Sequence, residues 1–176
     1  MEETIDELLV LARNARGASS TLLALDALLG EMDHEWRARF AHDGRELRVR
    51  CDPDAPPSSA SAAAVRQVLR VLLDNAARHG LGTVTVTVRE STGAVAIDVV
   101  DQGPGLHTPD WELFARRAES THGHGLGLSL ARRLAEAEGG RLHLARPVPP
   151  TFTLLLPARP APEHEQLEAT SVGSSG

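Results

Sequence analysis

Three short segments of this chain contain the residue types that could bind a nucleotide. They are Asp74–Gly80 (DNAARHG), Asp101–Gly105 (DQGPG) and Gly123–Leu128 (GHGLGL). An amide and a carboxylate can hold a cation or a base, and bare glycine backbone lets phosphate approach main-chain amides. Each segment alone is weak evidence. Their order, and the element on which each one lies, predict a pocket for a nucleotide and its magnesium ion.

The first segment lies at the end of a predicted helix. Val71, Asn75 and Arg78 share one face of that helix, opposite its apolar stripe, and His79 is one turn beyond Asn75. The Asn75 amide oxygen is a hard ligand suited to Mg²⁺, Arg78 can contact phosphate, and His79 can hydrogen-bond or stack on a base. An ordinary helix C-terminus, where the helix dipole favours Arg and His, explains this segment equally well.

The second segment begins at Asp101, directly after the predicted strand Ala94–Val100. Gly103 and Gly105 leave space for a flat ligand against bare backbone, and the Asp101 carboxylate could accept from the exocyclic amine of adenine. The alternative is a turn aspartate followed by glycines with positive φ.

The third segment brings Gly123, Gly125 and Gly127 to the start of a helix that begins at Leu126. A helix N-terminus offers free amides and the positive end of the dipole to phosphate. The segment is not a dinucleotide fingerprint, because position 128 is Leu and no strand precedes it. A flexible loop joined to a helix is the alternative. Residues 106–124, which follow the second segment and end within the third, are expected to form a lid.

Composition excludes several classes of function. All 18 basic residues are Arg, so the Walker-type phosphate loop, which needs a lysine, is absent. The net charge is −6 with no basic stripe, which makes nucleic acid an unexpected partner. The lone Cys51 excludes an internal disulfide. No stretch approaches the roughly 20 apolar residues of a membrane span, and the acidic start lacks the basic region of a signal peptide, which predicts a cytoplasmic segment.

Hydrophobic periodicity predicts the elements that position these segments. Strands joined by hairpins outnumber strand–helix alternations, which favours an α+β fold: a mostly antiparallel sheet of about five strands with three main helices on one face, rather than a doubly wound sheet. The predicted strands are Thr21–Leu25, Glu46–Cys51, Thr83–Val88, Ala94–Val100, Arg141–Ala145 and Thr151–Leu156, and the predicted helices are 3–13, Ala27–Ala41 with Asp26 as N-cap, Ser61–His79, 109–116 and Leu126–Glu138.

The three segments resemble the N, G1 and G2 boxes of the ATP-binding domain of sensor histidine kinases, within the gyrase, chaperone and kinase ATPase superfamily. Leu113-Phe114 resembles the F box of the lid, and the similarity runs from about Thr21 to Pro157. The resemblance implies a Bergerat-type two-layer α/β sandwich. It implies that Asn75 binds Mg²⁺ and that the remaining residues bind ATP: Arg78, His79, Asp101, Gly103, Gly105, Gly123, Gly125, Leu126 and Gly127.

Position 71 discriminates within the superfamily. By the resemblance, the hydrolysing members place a Glu four residues before the metal-binding Asn, where it activates water. Here that residue is Val71, which cannot act as a base. Phosphoryl transfer to a protein side chain is therefore favoured over hydrolysis, and no catalytic base is assigned in this domain. Many of the kinases have a second Asn at this position, so the magnesium shell would lack one amide.

The resemblance also predicts domains and partners. Residues 1–16 resemble the end of a second dimerisation helix and a hinge, and residues 17–157 resemble the kinase domain. The composition of residues 158–176, rich in Pro, Ala, Glu, Ser and Gly, predicts a disordered tail. The phosphoacceptor histidine is expected upstream, on dimerisation helices of the same kinase, so this chain should bind ATP without phosphorylating itself. The other expected partner is a response regulator, and the expected parent is a membrane-anchored homodimer with this segment in the cytoplasm.

Two other functions remain open. One is an ATP-binding regulator, either degenerate or a serine kinase of the anti-sigma type, although the helix at Thr4–Arg13 argues against a module that needs no dimerisation stalk. The other is a non-catalytic interaction domain whose glycines are structural.

Overall fold

The computed structural model describes residues 22–106, 112, 114 and 126–159. Helices and strands in this part of the chain mix without strict alternation. The helices are α1 (Leu25–His42), α2 (Ala62–His79) and α3 (Leu126–Ala137), and the strands are β1 (Leu47–Cys51), β2 (Val84–Ser91), β3 (Ala94–Val100), β4 (Arg141–Arg146) and β5 (Thr151–Pro157).

The five strands form one mixed sheet in the order β1-β2-β3-β5-β4. β1 pairs with β2 in parallel, and the other three pairs are antiparallel. The predicted α+β class, with a mostly antiparallel sheet and three helices, is therefore confirmed. β1 and β2 can pair in parallel because the helix α2 crosses over between them before the chain returns as β2 beside β1.

One face of the sheet packs against the helices. The register aligns a row of side chains across all five strands, which is Cys51, Val88, Ile97, Leu154 and Leu142. The last four side chains are fully buried, and they belong to the same apolar cluster as the buried faces of the three helices. Period-two alternation in the strands and the apolar stripes of the helices thus meet in a single core.

The opposite face of the sheet is polar. Asp98 on β3 accepts from Arg89 Nε on β2 at 2.7 Å and from Thr153 Oγ1 on β5 at 2.5 Å. This cross-strand cluster lies on the side away from the helices, because alternate residues of a strand point to opposite faces. A two-layer sandwich results, with helices on one side of the sheet only.

The first described segment differs from its prediction. Residues 21–25 were predicted to form a strand and Asp26 to cap the following helix, and both predictions are wrong. Leu23 forms only an isolated bridge to Ser58, and α1 already begins at Leu25 after Ala24. The helix starts earlier because Leu25 is buried on the same face as Leu28 and Leu29, and Asp26 then supplies a negative charge in the first turn.

The β2–β3 hairpin is tighter than its sequence suggests. The strands continue to Ser91 and resume at Ala94, so the turn consists of Thr92 and Gly93 alone. Both have positive φ, 43° and 75°, as a type I′ turn requires. Glycine at the second position adopts this conformation without steric cost, which fixes the register that leads to Asp101.

Helices α1 and α2 run side by side in the same direction. Three ion pairs join them with a constant separation of 35 residues: Glu31 to Arg66, Glu35 to Arg70, and Arg39 to Asp74. The pairs are solvent-exposed, so each contributes little to the free energy of folding. Their value lies in setting the register of α2, the helix that contains Asn75, against α1.

Truncating the core under α2 should destabilise the domain. Leu69 is 0% exposed, on the face of α2 that packs into the apolar cluster. Leu69→Ala is expected to lower the free energy of unfolding by about 2–5 kcal/mol, because it removes buried contacts and leaves a cavity. Urea denaturation measures the change. Leu81→Ala is the control, since that side chain is 58% exposed. Equal effects of the two variants would contradict the assigned core.

The thiol of Cys51 should react slowly. Burial on the edge strand, then a hydrogen bond and the charge of Asp26, raise its pKa to about 11. Because the thiolate is the nucleophile, alkylation by iodoacetamide at pH 8 should be at least about tenfold slower in the folded protein than in the protein unfolded in guanidinium. The rate should rise as the pH approaches 11. Equal rates in the two states would contradict the raised pKa.

Several predicted features lie outside the described residues. They are the helix at 3–13, the dimerisation-helix end and hinge at 1–16, most of the lid with its helix at 109–116, and all but the first two residues of the predicted tail at 158–176. The chain continues in register past Pro157, where Ala158 bridges Ser58 and the Arg159 amide donates to Pro57. Among the described helices, none has the length and apolar character needed to cross a membrane.

Candidate functional site

The polar face of α2 opens onto a cavity of about 340 Å³. Asn75, Arg78 and His79 line it together with Val71, as their spacing predicted. The opposite wall comes from the first turn of α3 at Gly127 and Leu128, and α1 contributes Trp36. The arrangement brings the first and third sequence segments to one site, because α2 and α3 pack against each other over the sheet.

Other residues of the cavity were not predicted from the sequence. They are Trp36, Gln67, Arg70, Asp74 and Leu128. Helical periodicity could have found Gln67, which lies eight residues before Asn75 on the same stripe. Trp36 is buried in the core and also lines the cavity.

Asp74 organises the charges at the mouth of the cavity. Its Oδ2 lies 2.7 Å from Arg78 Nε, one turn along α2, and its Oδ1 accepts from Arg39 Nη2 on α1 at 3.0 Å. The Arg78 side chain is still 52% exposed, so its guanidinium combines a fixed ion pair with access to a ligand. The spacing of Asp74 and Arg78 was visible in the sequence, but the contribution of Arg39 depends on helix packing.

Val71 is a contact point between the two helices. A Cβ placed on Gly127 would lie 3.4 Å from Val71 Cγ1, so the start of α3 rests directly on this side chain. Val71 therefore gives the cavity an apolar wall where a longer polar residue would reach toward Asn75. The contact also places the first turn of α3, at Gly127 and Leu128, against the cavity.

Asp101 follows β3 directly, as predicted, and is only 7% exposed. Its Oδ1 accepts from the Gly103 amide at 2.6 Å, and its Cγ would lie 2.7 Å from a Cβ on Gly80. Within the described part of the chain, the Gly103 amide is the hydrogen-bond donor to this carboxylate, which leaves acceptor capacity for a ligand. Asp101 does not line the cavity itself. It lies beyond His79, against the next residue of the chain.

Gly103 and Gly105 of the second segment are each required for a different structural reason. Gly103 leaves room for the Asp101 carboxylate, because a Cβ there would lie 2.5 Å from Oδ1. Gly105 has a φ of +100° and packs against Val148 in the β4–β5 turn. The same turn accepts from the Asp101 amide through the Pro150 carbonyl at 3.3 Å and from the Leu106 amide through the Pro147 carbonyl at 2.9 Å. Backbone contacts thus hold this loop in place.

The donor set fits a magnesium ion with phosphate ligands better than a metal held by protein alone. Among the described residues, no group of three or more His, Cys, Asp or Glu side chains could hold a metal. Asn75 places a neutral amide in the cavity beside the cationic Arg78. Mg²⁺ commonly binds through one or two protein oxygens, with water and substrate phosphates completing its shell.

Three residues of the predicted lid are described, Leu106, Glu112 and Phe114, and Phe114 meets the core. Phe114 is buried, packs edge-on against Phe152 of β5 with ring centroids 6.3 Å apart, and lies under the Arg132 guanidinium at 4.8 Å. This residue of the F-box-like pair therefore anchors the lid segment to β5 and α3. Gly123, Gly125 and the side chain of Leu126 lie outside the described residues.

Comparison with known proteins places these features in a family context. A family model described as histidine kinase-, DNA gyrase B- and HSP90-like ATPase matches residues 60–160. A probable sensor histidine kinase HK of Mycobacterium tuberculosis (strain CDC 1551 / Oshkosh) is 34% identical, covering 92% of this chain and 45% of the relative. The sensor histidine kinase component HK1 of strain H37Rv is also 34% identical, covering 76% of this chain and 84% of the relative. The chain thus spans less than half of the first relative and most of the second.

Solved structures agree with the fold. Full-length ShkA, in a crystal structure with AMPPNP, superposes with a TM-score of 0.70 and 26% identity, covering 90% of this chain and 37% of ShkA. The nucleotide-free catalytic domain of the histidine kinase ThkA superposes with a TM-score of 0.67 and 22% identity, covering 80% of this chain and 98% of that domain.

Proposed function

This chain belongs to the histidine kinase-, DNA gyrase B- and HSP90-like ATPase family as a histidine kinase catalytic domain, and we propose on that basis that it binds Mg-ATP and donates the γ-phosphate to a histidine on a separate dimerisation domain. The observation that carries the proposal is the meeting of three groups at one cavity: the Asn75 amide, the Arg78 guanidinium and the first turn of α3. These groups match a metal-bound triphosphate in charge and chemistry.

The base would lie at the far end of the site from the phosphates. The Asp101 carboxylate packs against Gly80, which follows His79 at the rim of the cavity. A nucleotide whose phosphates face Asn75 and Arg78 would then extend past His79 and place the adenine amine toward Asp101. AMPPNP bound to ShkA, a relative by fold with 26% identity, supports an ATP-like ligand.

The residues of this site favour transfer over hydrolysis. No base is needed here, because phosphoryl transfer is promoted mainly by positioning and by neutralising the charge on the transferred group. Arg78 and the α3 amides would neutralise phosphate oxygens, and Asn75 would orient the magnesium ion, which supplies further charge neutralisation when it is bound. Val71 closes the place from which a glutamate could activate water and packs against Gly127.

The proposal extends to partners outside this chain. We propose that the acceptor is the dimerisation helix pair of the same kinase and that a response regulator receives the phosphate next. The sensor histidine kinase relatives support both. The proposed setting is the cytoplasmic side of a membrane-anchored homodimer.

Transfer to an acceptor tests the function directly. Incubation of this chain with γ-labelled ATP, Mg²⁺ and the dimerisation helices of its parent should give an acid-labile, base-stable phosphohistidine on the acceptor. An acceptor with its histidine replaced by glutamine is the control. ATP binding without transfer to any cognate acceptor would instead favour a nucleotide-binding regulator, for which the apolar Val71 beside the metal position is the supporting feature. Failure to bind ATP would leave only an interaction domain.

A further inference from the structure

We propose that Arg45, which lies outside the nucleotide site, is a positioning residue for recognition of the base. Its guanidinium fixes the turn formed by Gly80, Leu81 and Gly82, and Asp101 packs against that turn. The inference rests on the proposed function, because it assigns Arg45 to the selectivity of the same site.

Arg45 holds the turn from both sides. Its Nη1 donates to the Ala76 carbonyl at the end of α2 at 2.8 Å, and its Nε donates to the Gly82 carbonyl at 2.8 Å. These two acceptors lie before and after Gly80 in the sequence. A planar guanidinium that bridges them fixes their separation, which a flexible lysine cannot do. The C-terminus of α2 is also the end of the helix at which the dipole stabilises a cation.

Arg45 is itself fixed to the core. Its backbone amide donates to the Phe40 carbonyl at 2.8 Å, and its guanidinium lies 5.2 Å from the centroid of the Phe40 ring. Phe40 is 0% exposed. Through Arg45, the turn is therefore connected to the buried Phe40 near the end of α1.

The turn in turn fixes the Asp101 carboxylate. A Cβ on Gly80 would lie 2.8 Å from Asp101 Oδ1, so the carboxylate rests against the Gly80 backbone. The next residue interlocks with the turn as well: the Gln102 amide donates to the Leu81 carbonyl at 2.9 Å, and Gln102 Oε1 accepts from the Thr83 amide at 3.1 Å. A displacement of the turn must therefore displace the carboxylate that would read the base.

A matched clamp exists at the other end of the same helix. Glu138, which is 8% exposed, accepts from the Ser61 amide through Oε2 at 2.9 Å, just before α2 begins. The helix is thus held by a carboxylate at its N-terminus and a guanidinium at its C-terminus. Glu138 acts at the opposite end of α2 from the turn, so its loss should destabilise the fold without changing how the base is read.

Calorimetric titration of the full chain with ADP and inosine diphosphate tests the inference, since inosine lacks the exocyclic amine. The wild type should bind ADP more tightly. Arg45→Ala should reduce that preference about tenfold, a change of one decade in the ratio of dissociation constants. Arg45→Lys should give an intermediate ratio, because it keeps the charge but not the bridge. Measurements are made well below the melting temperature of each variant.

Glu138→Gln should lower the melting temperature while keeping the wild-type ratio. Retention of the wild-type ratio in Arg45→Ala and Arg45→Lys would overturn the role of Arg45 and leave the proposed function intact. Absence of any ADP preference in the wild type would overturn both the role of Arg45 and the assignment of Asp101 to the base. A ratio lowered equally by Glu138→Gln would reduce Arg45 to a general structural residue and also overturn the inference.

Discussion

Asp101→Asn is expected to lower the affinity for ADP about 100-fold or more, because a hydrogen bond to a charged acceptor is lost and a donor replaces it. The Asp101 Oδ1 accepts from the Gly103 amide at 2.6 Å. If the asparagine oxygen keeps that bond, its NH₂ group must face the adenine amine, and if it turns, NH₂ faces the Gly103 amide. In either orientation two hydrogen-bond donors face each other at a residue that is only 7% exposed.

Asp98→Asn is the matched control for this substitution. Asp98 is a carboxylate on β3, three residues before Asp101, and it lies in the cluster with Arg89 and Thr153 on the face of the sheet away from the helices. Isothermal titration calorimetry should show little change in its ADP affinity. Unchanged ADP binding by Asp101→Asn would contradict base recognition at this position and would favour glycines of purely structural function.

Asn75→Ala should abolish the dependence of nucleotide binding on Mg²⁺ and lower phosphoryl transfer by at least about 100-fold, because the metal would lose its protein ligand. Asn75 is the amide of the described cavity closest in sequence to Arg78, and the apolar Val71 offers no substitute oxygen one turn away. Titration of ATP with and without Mg²⁺ measures the effect independently of transfer. The metal-free affinity should be nearly unchanged.

Two further variants make the Asn75 prediction specific. Arg66 lies on the same helix and pairs with Glu31 outside the cavity. The variant Arg66→Ala should therefore keep the dependence of nucleotide binding on Mg²⁺. Val71→Asn should act in the opposite direction and lower the Mg²⁺ concentration needed for half-maximal binding, because it adds an oxygen ligand. An unaltered dependence on Mg²⁺ in Asn75→Ala would contradict its role as the metal ligand.

Local patterns predicted most of the fold. The 3.6-residue period of α2 and the two-residue period of β2, β3 and β5 placed both ends of these elements within three residues of their observed bounds. The error at the start of α1 arose because a short apolar run has no period of its own, and burial of Leu25 against the core extended the helix. The outcome at that position was decided by packing rather than by the local preference of Asp26 for an N-cap.

Local sequence likewise identified some residues of the candidate site and could not identify others. Asn75, Arg78, His79 and Asp101 were found from residue type and from their places on a helix or at a strand end. Trp36 and Arg39 could not be found, because they approach the site from α1, 35 or more residues earlier in the chain. Such contacts depend on the register between α1 and α2, which local sequence does not encode.

Residue type and local pattern were enough to predict three segments for nucleotide binding, on a helix, at a strand end and at a glycine-rich helix start, since those features depend on near neighbours in the chain. Three contacts appear only once the elements pack together. Asp101 rests against Gly80, Gly127 packs on Val71, and Arg45 bridges the carbonyls of Ala76 and Gly82. These contacts join residues 21 to 56 positions apart, as 80 to 101, 71 to 127 and 45 to 76 or 82 show. Their geometry follows from how the helices and the sheet pack together.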